Sequence, residues 1–179
     1  RETCAAVYDR AVLRPELRGM GSTVTAMLAY DDMAWFGHVG DSRAYLLRDG
    51  QIHQITEDHS LVQEQVSAGL ITPEQAKHSM IRNIITRSIG FERDVRVDVA
   101  AVPMKRGDQF LLCSDGLTGH VEDGEIYEIV REHPRKNVSS RLIELANSRG
   151  GEDNSTVILT TVISKRNKSR GHKRRNRPG

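Results

Sequence analysis

Between residues 23 and 55 the chain alternates in four short runs, 23–30, 33–39, 42–47 and 51–55, rich in aliphatic, Thr and aromatic residues. Asp31-Asp32, Gly40-Asp41 and Asp49-Gly50 cut the runs apart. Two-residue periodicity interrupted by turn-forming dipeptides reads as a strand meander, and Asp-Gly is a strong signal for a two-residue hairpin. This stretch constrains the fold more than any other, because it commits the middle of the chain to sheet.

Helical spacing surrounds it. Apolar residues recur at three and four over 4–13, which stops near Pro15. Ser60, with Gln63 three places on, starts a helix ending at Gly69, and Thr72-Pro73-Glu74-Gln75 opens a second. Residues 83–88, 95–102 and 109–113 read as strands, the last apolar enough to be buried on both faces. Amphipathic helices are expected over 123–132 and 138–147, and a final strand over 155–163. Helix, strands, helices, strands, helices, strand make an α+β layer architecture with a mostly antiparallel sheet. At 179 residues this is one domain, and with 4% aromatic residues its core must be aliphatic.

The formal charge of +2 hides an asymmetry: residues 165–179 hold eight Lys/Arg and no acid, leaving 18 basic against 24 acidic groups, or −6, elsewhere. Such a tail is expected to be disordered by self-repulsion. It reads as a linker or solubilising end rather than a nucleic-acid or anionic-lipid contact, since no aromatic is interleaved to stack on bases. Two cysteines make neither a disulfide framework nor a four-Cys zinc site. No apolar run approaches the ~18 residues of a membrane span. The first residues lack a secretion-signal layout, so a soluble cytoplasmic monomer is expected.

The chemistry is carried by aspartates. Asp41 follows Val39-Gly40, Asp115 follows the apolar run 110–114, and Asp153 stands between Gly150-Gly151 and the strand that begins near Thr156. A carboxylate at the mouth of a buried strand is held in place and partly desolvated. Several converging at one sheet edge repel unless a cation neutralises them, and hard oxygen ligands select Mg²⁺ or Mn²⁺. Any one of these alone is better explained as a turn former or a helix cap than as a metal ligand.

Six segments in order carry a resemblance: Gly19-Met20-Gly21-Ser22-Thr23-Val24, Gly37-His38-Val39-Gly40-Asp41-Ser42-Arg43-Ala44-Tyr45, Thr56-Glu57-Asp58-His59-Ser60, Asn83-Ile84-Ile85-Thr86-Arg87-Ser88-Ile89-Gly90, Cys113-Ser114-Asp115-Gly116-Leu117-Thr118 and Gly150-Gly151-Glu152-Asp153-Asn154-Ser155-Thr156. Together they resemble the metal-dependent Ser/Thr protein phosphatases of the protein phosphatase 2C (PPM) type, bacterial branch. The resemblance implies a four-layer α-β-β-α sandwich of two antiparallel sheets flanked by helices, with a binuclear Mg²⁺ or Mn²⁺ centre. It implies Asp115 and Asp153 as ligands of that centre, and Asp41 as ligand, shared with Asp115, of a third ion. Residues 62–88 match a flap bordering the substrate cleft. The implied partners are phosphorylated Ser/Thr proteins and the Ser/Thr kinase that makes them.

Departures from the family pattern shape the expectation further. An early Arg that grips phosphate and an Asp-Gly-Met-Gly-Gly loop whose Asp bridges two metals have no counterpart here. Residues 1–164 therefore read as a catalytic domain incomplete at its N-terminus, inactive alone. Gly119 stands where some relatives place another ligand, and Ser79-Met80 replaces a flap Pro. The alternative is a non-catalytic phosphoprotein-binding or regulatory pseudophosphatase module.

Rival chemistries are weaker. Cys4 and Arg10 have the Cys-x5-Arg spacing of cysteine-dependent phosphatases, but Ala5-Ala6-Val7-Tyr8-Asp9 has no glycine and favours continuous helix. No two histidines at i and i+4 flank a Glu, as a zinc hydrolase helix requires. His38 is expected to be packed in a strand and His59 to cap the following helix.

Overall fold

The computed structural model describes residues 1–151 and 153–163; the basic stretch 165–179 lies outside them. Strands β1 (Val24–Tyr30), β2 (Met33–Val39) and β5 (Asp98–Pro103) form one sheet in the order β1-β2-β5. Strands β3 (Arg43–Arg48), β4 (Gln51–Gln54), β6 (Gln109–Cys113) and β7 (Val157–Thr161) form a second in the order β4-β3-β6-β7. Every pairing between them is antiparallel. Asp49 and Gly50 both take positive φ, 50° and 81°, which is the geometry the twist of a two-residue hairpin needs.

The helices are α1 (Glu2–Leu13), α2 (Leu61–Ser67), α3 (Pro73–Lys77), α4 (Asp115–Thr118), α5 (Asp123–Glu132) and α6 (Arg135–Ser148). Their starts follow from local chemistry. The Ser60 hydroxyl accepts the Gln63 amide at the head of α2, and Thr72 and Gln75 close a reciprocal capping box at α3.

Strand alternation distributes β3 and β6 between two interiors. Ala44, Leu46 and Phe110 face Ala34 and Phe36 of the other sheet, with the rings of Phe36 and Phe110 5.6 Å apart. Tyr45, Leu47, Leu111 and Cys113 face the opposite way, onto Leu117 of α4, Ile126 and Val130 of α5, and Val138, Leu142 and Ala146 of α6. This two-sided burial is why 109–113 reads as continuously apolar. On the far side of the first sheet α1 buries Cys4 against Val39 and Ile89. The layers are therefore helix, sheet, sheet, helices. Beyond Val39 that outer face stays open: Leu28, Trp35 and Val99 are 64%, 44% and 69% exposed.

Four expectations are corrected. Residues 83–88 form no ladder; their backbone bonds come singly, the Leu61 amide to the Ile84 carbonyl and the Thr86 amide to the His59 carbonyl, which tie the segment to the foot of α2. The strand expected from 95 begins at Asp98, because Val95 turns aside to pack with Cys4, Val39 and Ile89. The last strand starts at Val157, and α6 starts at Arg135, earlier than its apolar spacing indicates.

Candidate active site

Pairing register gathers three strand ends. Arg43 lies opposite Cys113, and Cys113 opposite Val157, so the start of β3, the end of β6 and the start of β7 form one row. Asp41 stands two residues before Arg43, Asp115 two after Cys113, and Asp153 four before Val157. Carboxylates far apart in the chain thus arrive at the same edge of the second sheet.

The Gly40-Asp41 turn is tightly built. Gly40 takes φ +117°, and a Cβ there would sit 2.3 Å from Cγ2 of Thr23, so only glycine fits. Its amide donates to Nδ1 of His59 at 3.0 Å, and its carbonyl accepts the His59 amide at 2.8 Å. Burial, and then the negative charge of Asp115, push the Asp41 carboxyl up to about 6. The two side chains are therefore within electrostatic reach of each other.

Asp115 opens α4, a helix not signalled by the sequence, and the neighbouring residues clamp it to the 153–156 loop. The Ser114 hydroxyl donates to the Asn154 carbonyl at 3.1 Å and accepts the Thr156 amide at 3.0 Å. A Cβ on Gly116 would meet the Asn154 carbonyl oxygen at 2.6 Å. Oγ of Ser155, buried and without a hydrogen-bond partner, lies at this crossing. Asp153 itself is exposed, with Oδ1 accepting the Asn154 amide at 2.6 Å. Among the described residues no three His, Cys, Asp or Glu side chains converge closely enough to hold one ion. The structure thus brings Asp41 to Asp115 and carries the Asp153 loop against α4 without joining its carboxylate to the pair.

Arg43 supports the row from behind. Its Nε and Nη2 grip the Asp58 carboxylate at 2.9 and 2.7 Å, and Nη1 donates to the Tyr45 hydroxyl, which donates in turn to Asp123. Burial opposes the Arg43 charge, and the bidentate Asp58 more than offsets it.

His38 is packed as expected, at 2% exposure. His59 departs from expectation: Ser60 caps α2, and the imidazole of His59 faces the other way, with Nε2 3.0 Å from Asp98 Oδ2. Arg87 donates to the other oxygen of Asp98 at 3.0 Å. Sequence reading missed this His59–Asp98–Arg87 group, whose members are 39 and 11 residues apart; the signal was Asp58-His59 lying inside a matched segment.

The cysteine-nucleophile rival fails on geometry. Cys4 sits inside α1, its Sγ donating to the Glu92 carbonyl at 3.1 Å. Burial pushes the Cys113 thiol up to about 12, far from a thiolate nucleophile.

An antiparallel two-sheet sandwich with helices outside and carboxylates gathered at one strand end defines a class of α+β proteins that present hard oxygen donors at a sheet edge. Comparison with known proteins narrows the class. The Protein phosphatase 2C family matches residues 2–156. Protein phosphatase PhpP of Streptococcus pneumoniae is 42% identical over 146 residues, 81% of this chain and 59% of its own length. Serine/threonine phosphatase Stp1 of Staphylococcus aureus superposes with a TM-score of 0.86 at 38% identity, over 90% of this chain and 64% of that one. The catalytic domain of PstP, solved in complex with two manganese ions, superposes at 0.81 with 39% identity, over 90% of this chain and 67% of that one. The chain belongs to the protein phosphatase 2C family, and it spans 59% of the length of PhpP.

Proposed function

We propose that this chain carries part of the site of a Ser/Thr protein phosphatase that hydrolyses phosphoserine and phosphothreonine in proteins, with Mg²⁺ or Mn²⁺ held by Asp41, Asp115 and Asp153. The observation that carries the reading is the Asp41–Asp115 pair at the end of the β3–β6 ladder, two carboxylates kept in mutual reach although burial and like charge oppose it. Carboxylates held against burial and like charge cluster at sites where a cation or substrate restores the balance.

The donors fit a hard divalent ion. All are oxygens, and Oγ of Ser155 is a buried polar atom with no partner beside them. Such an ion supplies positive charge for phosphoryl oxygens and lowers the pKa of water at the site. The chain's own part is placement. The Gly40 turn fixes Asp41, the first residue of α4 presents Asp115, and the Ser114 bonds hold the 153–156 loop against it. The group transferred is a phosphoryl group to water, with the Ser or Thr oxygen leaving and taking up a proton. On this reading the chain works in the cytoplasm opposite a Ser/Thr kinase that generates its substrates.

A second reading, a non-catalytic phosphoprotein-binding module, is favoured by one observation: among the described residues no three ligand-type side chains converge. Phosphothreonine-peptide hydrolysis with Mn²⁺ and with chelator, assayed with the chain joined to an upstream segment that carries the phosphate-gripping Arg and the Asp-Gly-Met-Gly-Gly loop, separates the two. The catalytic reading expects Mn²⁺-dependent turnover that falls at least about tenfold in both Asp115→Asn and Asp153→Asn. Turnover indifferent to both changes removes it; phosphopeptide binding without turnover selects the second reading.

A further inference from the structure

His59 lies 4% exposed between the Gly40-Asp41 turn and strand β5, and each of its polar groups is committed. Its backbone amide donates to the Gly40 carbonyl at 2.8 Å, and its carbonyl accepts the Thr86 amide at 2.8 Å. In the ring, Nδ1 accepts the Gly40 amide at 3.0 Å, and Nε2 stands 3.0 Å from Asp98 Oδ2. An amide N–H can only donate, so Nδ1 must be the unprotonated nitrogen, and the ring proton belongs on Nε2, where the Asp98 carboxylate accepts it. Asp98 is fixed in turn by Arg87 and by its place at the head of β5, opposite His38. The neighbouring ring of His38, 4.7 Å away, bonds to Thr25 and to the Glu57 carbonyl and does not compete for Gly40 or Asp98.

We propose that His59 is a positioning residue: held by Asp98 in the tautomer with hydrogen on Nε2, it grips the Gly40 amide through Nδ1 and so aims Asp41 at Asp115. This rests on the reading of Asp41 and Asp115 as cation ligands, and it assigns a task to a residue that touches neither ion nor phosphate. The turn needs such a grip. Gly40 carries no side chain to pack, its φ is one few residues adopt, and the Asp41 carboxyl next to it is repelled by Asp115. A two-point clamp on Gly40, amide and carbonyl together, removes the rotation by which the carboxylate would otherwise swing out to water. The same residue joins the turn to the 83–88 segment through Thr86, so the site and that segment share one anchor.

Two substitutions separate placement from bulk. In His59→Asn the amide oxygen occupies the position of Nδ1 and still accepts from Gly40; in His59→Gln the side chain still reaches Asp98 but offers nothing at the Nδ1 position. Mn²⁺ binding to the 179-residue chain is measured by titration calorimetry, Gly40 amide exchange by NMR, and the His59 tautomer by long-range proton–nitrogen correlation. The expected result is an Nε2–H tautomer, a Gly40 amide protected in wild type and His59→Asn but not in His59→Gln, and Mn²⁺ affinity about tenfold weaker in His59→Gln only. An Nδ1–H tautomer, or equal Gly40 protection and affinity in all three chains, overturns the assignment. If His59→Gln does not fold, the tautomer and the wild-type against His59→Asn comparison decide it. Wild-type Mn²⁺ binding that is absent, or unchanged in Asp115→Asn, counts instead against the ligand reading, and amide exchange with the tautomer still judges His59.

Discussion

Asp41 and Asp115, 74 positions apart in the sequence, stand at the same end of the β3–β6 ladder, and after burial the charge of Asp115 helps to lift the Asp41 carboxyl to about 6. Like charges so placed lower the stability of the fold that holds them. Asp115→Asn in the metal-free chain is therefore expected to raise stability by about 1 kcal/mol while it removes Mn²⁺ binding. Urea denaturation in chelator, beside a Mn²⁺ titration, checks it; a destabilised Asp115→Asn chain would contradict the pairing.

The bidentate Arg43–Asp58 pair is mostly buried, with side chains 27% and 14% exposed. Asp58→Ala strands a guanidinium inside the fold, and we expect a loss of about 3 kcal/mol in urea denaturation. Arg43→Lys keeps the charge but not the fork, and a smaller loss is expected. An Arg43→Lys variant as stable as wild type would mean that charge alone, and not planar geometry, matters here.

At the other end of β3, Arg48 grips Asp108, whose side chain is 2% exposed. Burial pushes that carboxyl toward its neutral form, but the Arg48 guanidinium and the Lys105 amide outweigh it and leave it below the ordinary carboxylate range. A depressed carboxyl contributes stability above its unfolded value, near ~3.9, and loses it as pH falls through the lower folded value. Wild type should accordingly lose more stability below about pH 4 than Asp108→Asn, which starts weaker at pH 7. Parallel acid limbs in urea titrations would refute this.

Gly116 and Gly124 make a matched pair of tests. A Cβ on Gly116 meets the Asn154 backbone at 2.6 Å, whereas one on Gly124 in α5 meets nothing within 4 Å. Gly116→Ala is expected to cost about 2 kcal/mol and to shift the 153–156 loop, while Gly124→Ala gains about 0.5 kcal/mol. Thermal melts and amide shifts of Asn154 to Thr156 report both. A neutral Gly116→Ala would show that the loop adjusts freely.

Much of this architecture was legible because the signals are local. Asp49-Gly50 set its hairpin, Ser60 and Thr72 set their helix starts, and apolar 109–113 announced a strand covered on both sides. The sequence misled where long-range contact overrides local pattern. Residues 83–88 have strand composition but meet α2 and not a sheet neighbour, and Val95 is drawn out of the strand direction by Cys4. Of the candidate site the sequence offered three aspartates and none of their geometry. That Asp41 reaches Asp115 depends on register, and that His59 serves the Gly40 turn rather than a helix cap depends on Asp98, 39 positions away. The exposed setting of the Asp153 carboxylate also lay beyond any spacing argument.

The row Arg43, Cys113, Val157 divides the second sheet into unequal ends. The three proposed ligand aspartates lie at one of them; the other holds the Asp49-Gly50 hairpin and the Gly107 turn, both exposed. Because strand side chains alternate faces, lengthening β3 or β6 by one residue would turn every partner beyond it inside out. Affinity tags, fluorophores or fused domains accordingly belong at Asp49-Gly50, where added chain leaves the pairing untouched and projects away from the carboxylates.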